Sequence, residues 1–206
     1  MMALTYAEQI RQRIDDAEDG AMFISADFAD IAETETIRRN LNRLVESGTL
    51  RRVLKGIYEK PMFSNLLQET VAPNPDMVAK TLARNYHWTI APDGDTALNL
   101  LGLSTQIPAS WVYISDGPYK KYEWNRTKLV FKRRTNKEIS NLSPITVMVV
   151  QALKALGKEQ TTPEVVENLS RRLSAEDIAL LRKEAATSTD WVYDVIRQLE
   201  KSGVKK

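Results

Sequence analysis

Apolar residues recur at helical spacing in three short stretches at the start of the chain. In Thr5 to Ala17, Ile10 and Ile14 fall four apart with Tyr6 on the same face, predicting an amphipathic helix stopped by Gly20. Phe23-Ile24 is a short extended pair, and Ser25 is placed to cap a brief second helix over 26–32 that buries Phe28 and Ile31. Thr34 is a good cap for a third helix running to Ser47, with Gly48 as its stop. At about 100° per residue, Ile37, Leu41, Leu44 and Val45 form the inward stripe of that helix. Glu35, Arg39, Asn42 and Arg43 lie opposite, with Thr36 at the margin. The pattern then changes period: two β-prone runs, 50–54 and 57–58, meet at Lys55-Gly56 and predict a hairpin.

Pro61, Pro73 and Pro75 bracket a mixed stretch that reads as a linker with one or two helical turns. A helix over 76–86 follows, with Val78, Leu82 and Ala79 or Ala83 inward, then a strand over 87–91. Pro92-Asp93-Gly94-Asp95 is a turn whose last residue caps a helix to Leu101. Trp111 to Ser115 is a strand, 116–118 a turn, and 119–124 with 128–134 a hairpin around Asn125-Arg126. From Ser143 the pattern is helical. Ser143-Pro144 and Thr162-Pro163 are caps followed by proline at the first helical position, and Ser174 with Asp177 resembles a capping box. A last helix from Ser188 or Thr189 buries Trp191, Val195, Ile196 and Leu199, and the tail 204–206 is expected to fray. The predicted class is α+β: an N-terminal winged helix-turn-helix (1–60), a linker (61–75), and a mixed α+β domain (76–206) ending in a helical bundle at about 143–201.

Charge sharpens this picture. The formal net charge of +2 conceals two basic blocks. Residues 1–35 hold two basic against nine acidic side chains, a net of −7, whereas 36–60 hold seven against two, a net of +5. Residues 117–137 hold eight against one, a net of +7. A helix with arginine and asparagine outward can enter a major groove, where guanidinium forks match guanine and amides match adenine, while nearby cations hold phosphates. The switch of sign at the third helix, with a basic hairpin behind it, favours DNA binding over a small helical core with a solvated polar face.

Composition removes several chemistries. There is no cysteine and one histidine, His87, so thiolate catalysis, disulfides and Cys-based zinc sites are excluded. The opening residues lack a basic segment followed by an apolar one, and no run approaches the ~18 apolar residues of a membrane span, so a cytoplasmic, membrane-free protein is expected. No phosphate-binding loop, zinc-protease or serine-hydrolase motif occurs. Asp93 and Asp95 have the spacing of a metal pair in a nucleotidyl-transferring enzyme, but no third carboxylate follows and a turn with a cap explains both. His87 reads as structural. No cofactor, metal or catalytic residue is expected.

Lys120, Lys121, Arg126, Lys128, Lys132, Arg133 and Arg134 interleave with Tyr119, Tyr122, Trp124 and Phe131. That composition suits phosphate attraction with base stacking, a second nucleic-acid surface. It equally suits a sheet whose aromatics pack inward while the cations face water, and alternation along 128–132 fits this second possibility.

Two stretches together carry a resemblance. Arg39-Asn40-Leu41, Leu44, Gly48, Leu50, Arg52, Gly56 and Tyr58, followed by Ala97-Leu98-Asn99-Leu100-Leu101-Gly102-Leu103-Ser104-Thr105-Gln106-Ile107-Pro108, resemble the AbiEi-like antitoxins of type IV toxin–antitoxin (abortive infection) systems. The resemblance implies a non-enzymatic repressor of its own operon that binds promoter repeats. It also implies functional pairing with a nucleotidyltransferase-like toxin, without a stable complex. Carried over by position, the DNA-reading residues are Thr36, Arg39, Asn42 and Arg43 on the helix and Arg51, Arg52 and Lys55 in the wing. Residues 101–108 carry no evident chemistry and read as helix end, Gly102 turn and packing. Alternatives are a stand-alone regulator, or an RNA- or protein-binding antitoxin module that does not bind an operator.

Overall fold

A computed structural model describes residues 4–134 and 142–203. The expected fraying of 204–206, and Lys137 of the second basic block, lie outside the described residues. The fold is mixed α+β, in two compact units, 1–87 and 88–206.

In the first unit, α1 (Tyr6–Asp15) opens with a capping box: Thr5 accepts from the Glu8 amide, and the Glu8 carboxylate accepts from the Thr5 amide at 2.7 Å. Its C-terminal carbonyls are met by Lys60, whose Nζ donates to Asp15 at 2.9 Å and Ala17 at 2.7 Å. Strand β1 (Met22–Phe23) leads to a 3₁₀ turn at Ser25–Phe28 and then to α2 (Thr34–Glu46). Strands β2 (Arg51–Leu54) and β3 (Ile57–Glu59) form the expected hairpin, and β1 completes an antiparallel sheet of order β1-β3-β2. Ile10, Ile14, Phe23, Phe28, Ile37, Leu41, Leu50 and Tyr58 make one apolar core, so α1 and α2 lay their stripes on the same sheet.

Four expectations change here. Tyr6 is 57 % exposed, because the core begins one turn later at Ile10. The brief second helix is a four-residue 3₁₀ turn with Ser25 inside it, and the Asp27 carboxylate holds its entry by accepting from the Ile24 amide at 2.8 Å. Thr34 is the first helical residue of α2 rather than its cap, which is Glu33 and makes no side-chain capping bond. The stretch read as a linker contains a second hairpin, β4 (Phe63–Ser64) with β5 (Glu69–Thr70), instead of helical turns.

Helix α3 (Pro75–Tyr86) is capped by Asn74 and buries Val78, Ala79, Leu82 and Ala83. It belongs to the first unit, packing on β1 and β3 with Arg84 paired to Asp27. The boundary between units therefore falls after His87, later than the start at residue 76 read from the prolines.

The second unit begins with β6 (Ile90–Pro92) and α4 (Asp95–Leu100), then β7 (Trp111–Ser115), β8 (Lys120–Trp124) and β9 (Thr127–Arg133). The strand expected from residue 87 starts at Ile90, because His87 ends α3 in a left-handed conformation, φ 56°. The sheet order is β6-β7-β9-β8, with β7 and β9 parallel and the other pairs antiparallel. Four α-helices follow among the described residues: α5 (Pro144–Leu156), α6 (Pro163–Arg172), α7 (Ala175–Glu184) and α8 (Asp190–Gly203), with a 3₁₀ turn at Ala185–Thr187 between the last two. Ser143, Thr162 and Ser174 each accept an amide of the first turn, as their sequence context requires. Leu153, Leu169, Leu181, Val192, Ile196 and Leu199 share a core with Ala97 of α4. Trp191 is half-buried at its margin, and Val192 takes the central place.

Candidate nucleic-acid interface

Helix α2 is oriented by its stripe. Ile37 and Leu41 are buried and Leu44 and Val45 half-buried, which turns Arg39, Asn42 and Arg43 outward and leaves Thr36 half-buried at the margin. Arg39 makes a helical pair with Glu35, Nε to Oε1 at 3.3 Å, with both side chains about two-thirds exposed. Such a pair contributes little, about 0.3–0.5 kcal/mol, and is readily exchanged for a phosphate or base. Arg43 is exposed and has no carboxylate partner among the described residues. Thr36 lends its carbonyl to Asn40 Nδ2 at 2.9 Å, a bond within the helix.

The β2–β3 hairpin stands beside this surface. Gly56, φ +80°, supplies the left-handed residue that closes its two-residue turn and leaves Lys55 exposed at the tip. Arg52 reaches across to α2. Its guanidinium donates to Asn42 Oδ1, lies 5.5 Å from the centre of the Tyr58 ring, and is 3.5 Å from the Tyr58 hydroxyl. Asn42 and Arg52 thus form one polar unit spanning helix and hairpin.

Arg51 is placed differently. It faces the buried Glu59 across the ladder, donating to its carboxylate from Nε at 2.8 Å and from a terminal nitrogen, and to the Val71 carbonyl at 2.7 Å. Burial pushes the Glu59 carboxyl above its ordinary value, against the opposing influence of Arg51. The Arg51 guanidinium is therefore engaged in fixing β2, β3 and the chain after β5, whereas the sequence assigns it to the DNA-reading wing. Arg38 was absent from that assignment, yet it is exposed on the flank of α2 next to the Asn42 side; its charge was the signal available.

Part of the acidic side of the unit is held in ion pairs: Asp15 with Arg11, Asp19 with Lys60, Asp27 with Arg84 and Asp30 with Arg13. Arg13 of α1 grips Asp30 with both terminal nitrogens at 2.7 Å and lies 5.8 Å from the Phe28 ring centre. The hydrogen bonds and charge of Arg13 hold the Asp30 carboxyl down at about 2.

In the second unit, Lys120, Lys121, Arg126, Lys128, Lys132, Arg133 and Arg134 are all exposed on β8, β9 and the adjoining segments. Trp124 and Phe131 are buried, Tyr122 is half-buried, and Tyr119 is 56 % exposed. Of the four aromatics, Tyr119 alone presents most of its surface. Asp93 pairs with Lys132 at 3.3 Å, and Asp95 begins α4 as an exposed first-turn residue behind its cap Gly94, not as the cap itself. Among the described residues no three His, Asp or Glu side chains converge as a metal site would need, and no helix is long and apolar enough to cross a membrane.

Residues 101–108 pack only in part: Leu101 and Pro108 are buried, whereas Thr105, Gln106 and Ile107 are exposed, Ile107 to 83 %. Gly102 takes φ +61°, and the Arg172 guanidinium lies where a side chain on that residue would start. Asn99 Nδ2 donates to the Gln106 carbonyl at 2.9 Å.

A family described as "Family of unknown function (DUF6088)" matches residues 9–185, a span taking in both units. The chain belongs to that family. The DUF6088 match covers α2, both hairpins and the β8–β9 surface. No curated protein matches the chain. Among solved structures, "Crystal structure of RV2827C protein from Mycobacterium tuberculosis" is similar over 98 % of this chain and 78 % of its own, with 15 % identity and a TM-score of 0.43.

Proposed function

We propose that this DUF6088 protein is a DNA-binding transcriptional repressor of its own operon, acting as the antitoxin of a type IV toxin–antitoxin system. In this reading the first unit is a winged helix-turn-helix. Helix α2 enters the major groove and the β2–β3 hairpin is the wing. The helices of the second unit form the bundle of an antitoxin-type domain. One observation supports it above the others: Arg39, Arg43, Arg52 and Lys55 are exposed on α2 and its adjoining hairpin, with Asn42 held between helix and hairpin by Arg52.

The mechanism follows from those side chains. Arg39 and Arg43 offer planar forks that suit guanine O6 and N7, and Asn42 an amide that suits adenine. Lys55 and Arg38 supply charge to phosphates on either side, fixing register without reading sequence. Bound at promoter repeats, the protein occludes transcription. The toxin partner is a nucleotidyltransferase-like enzyme countered without a stable complex, and the antitoxin itself performs no catalysis.

A reporter driven by the DNA upstream of the gene tests repression in cells. Expression of the wild-type chain is expected to silence it, and a variant carrying Arg39→Ala and Arg43→Ala to restore it. Full repression by that variant would remove α2 from the mechanism.

A further inference from the structure

The cationic surface of the second unit is sorted by the register of β8 and β9. Tyr122 opposes Leu129 and Lys120 opposes Phe131, so one side of this ladder is the inner, aromatic side. The other side carries Lys121 against Val130 and Glu123 against Lys128, with Lys132 two residues on. Tyr119 belongs to it as well, since the Lys121 ammonium lies 5.6 Å from its ring centre. Arg134 continues the alternation just past β9.

Three cations on this unit's helices are paired with carboxylates: Arg171 with Glu167, Arg182 with Glu200 and Arg197 with Asp194. On the β8–β9 face Lys132 alone is paired, with Asp93, and Lys121, Lys128 and Arg134 have no carboxylate at ion-pair distance among the described residues. The result is a set of cations on one face of extended backbone beside one exposed aromatic ring: Lys128, Lys132 and Arg134 follow β9, about 13 Å and then about 7 Å apart, with Lys121 on the neighbouring strand.

We infer that this outer face of β8–β9 binds single-stranded nucleic acid. Lys121, Lys128, Lys132 and Arg134 track the phosphates, and Tyr119 stacks on a base. Single strands are favoured over duplex because an exposed ring on a sheet gains contact only from a base whose face is free, which a duplex hides. The competing use of lysines on an edge strand is to block pairing with another sheet, which requires no ligand. This inference concerns the second unit and does not depend on operator binding by α2.

The test uses the full chain and short fluorescent probes of mixed sequence: single-stranded RNA, single-stranded DNA and a duplex. Wild-type protein is expected to bind both single strands with salt-dependent affinity. The variant Lys121→Gln, Lys128→Gln, Arg134→Gln is expected to bind them at least tenfold more weakly, with a salt slope smaller by about 2. Tyr119→Ala is expected to lose about tenfold while keeping the wild-type slope, a split that a general loss of charge would not produce. Circular dichroism establishes that both variants are folded, and binding of operator duplex is expected to be unchanged in them. Single-strand affinity equal to wild type in the triple variant overturns the inference. So does loss confined to the duplex probe, or no single-strand binding by the wild-type chain.

Discussion

The guanidinium of Arg52 on β2 donates to the side-chain oxygen of Asn42 on α2. This bond joins the two elements proposed to meet DNA, and it uses one of the two lone pairs of the Asn42 amide oxygen. Arg52→Ala and Asn42→Ala are therefore expected to be non-additive in operator binding. A double-mutant cycle should return a coupling of roughly 0.5–3 kcal/mol. Additive losses would mean that the two side chains act separately on DNA.

Arg39 and Arg43 are expected to behave unlike Lys55. Replacing either arginine by alanine should cost ~1–3 kcal/mol on the operator and little on random duplex, because a bidentate base contact is lost. Lys55→Ala should weaken all duplexes alike and lower the salt slope by about 0.9, the signature of one phosphate contact. Titrations of both duplexes at several salt concentrations separate these behaviours.

Arg51 has a structural task, and its removal is expected to act on stability. Arg51→Ala leaves the Glu59 carboxylate buried without its cation, a change that costs about 3 kcal/mol, towards the low end for buried pairs because Arg51 keeps some exposure. Burial raises the folded-state value of Glu59 above its unfolded value, so the folded protein holds the proton more tightly. The sign is then set: this group's contribution worsens as pH rises through the interval above the ordinary carboxylate range. Without Arg51 that interval widens. Urea unfolding should find the Arg51→Ala protein more stable near pH 5 than near pH 8, with a steeper difference than wild type. Glu59→Gln in the same background should flatten it.

Asp30 has the opposite sign. Arg13 holds its carboxyl at about 2 in the folded state, below the ordinary 3.8. The stabilisation is complete above the ordinary value and is lost as pH falls towards about 2. Asp30→Asn is expected to reduce stability at neutral pH and to remove part of the decline between about pH 4 and pH 2. Acid titration followed by circular dichroism checks this.

The first hairpin and the starts of the C-terminal helices were legible because single residues signal them: Lys55-Gly56 for the turn, and Ser143-Pro144, Thr162-Pro163 and Ser174 with Asp177 for the caps. The β4–β5 hairpin was not, since its two-residue strands are too short to show a period. The role of Arg51 was hidden by one irregularity. A regular ladder from the Leu54–Ile57 pair would set Arg52 opposite Glu59. The register shift near Val53 instead sets Arg51 there and frees Arg52 to reach Asn42. Helix periodicity turned Arg39, Asn42 and Arg43 outward correctly, because the stripe of Ile37 and Leu41 admits one orientation on the core. Which outward cations are already engaged depends on partners distant in sequence, as Arg13 with Asp30 and Arg84 with Asp27 illustrate.

Direct binding decides between a groove-reading helix and a solvated one. Fluorescence anisotropy with duplex DNA from upstream of the gene, against a scrambled duplex of equal length, is the measurement, made on wild type and on the Arg39→Ala, Arg43→Ala variant. Tight upstream binding by wild type is expected, at least 10³-fold over the scrambled duplex, with most of that preference lost in the variant. Equal affinity for the two duplexes, or a preference undiminished by the double substitution, would contradict it.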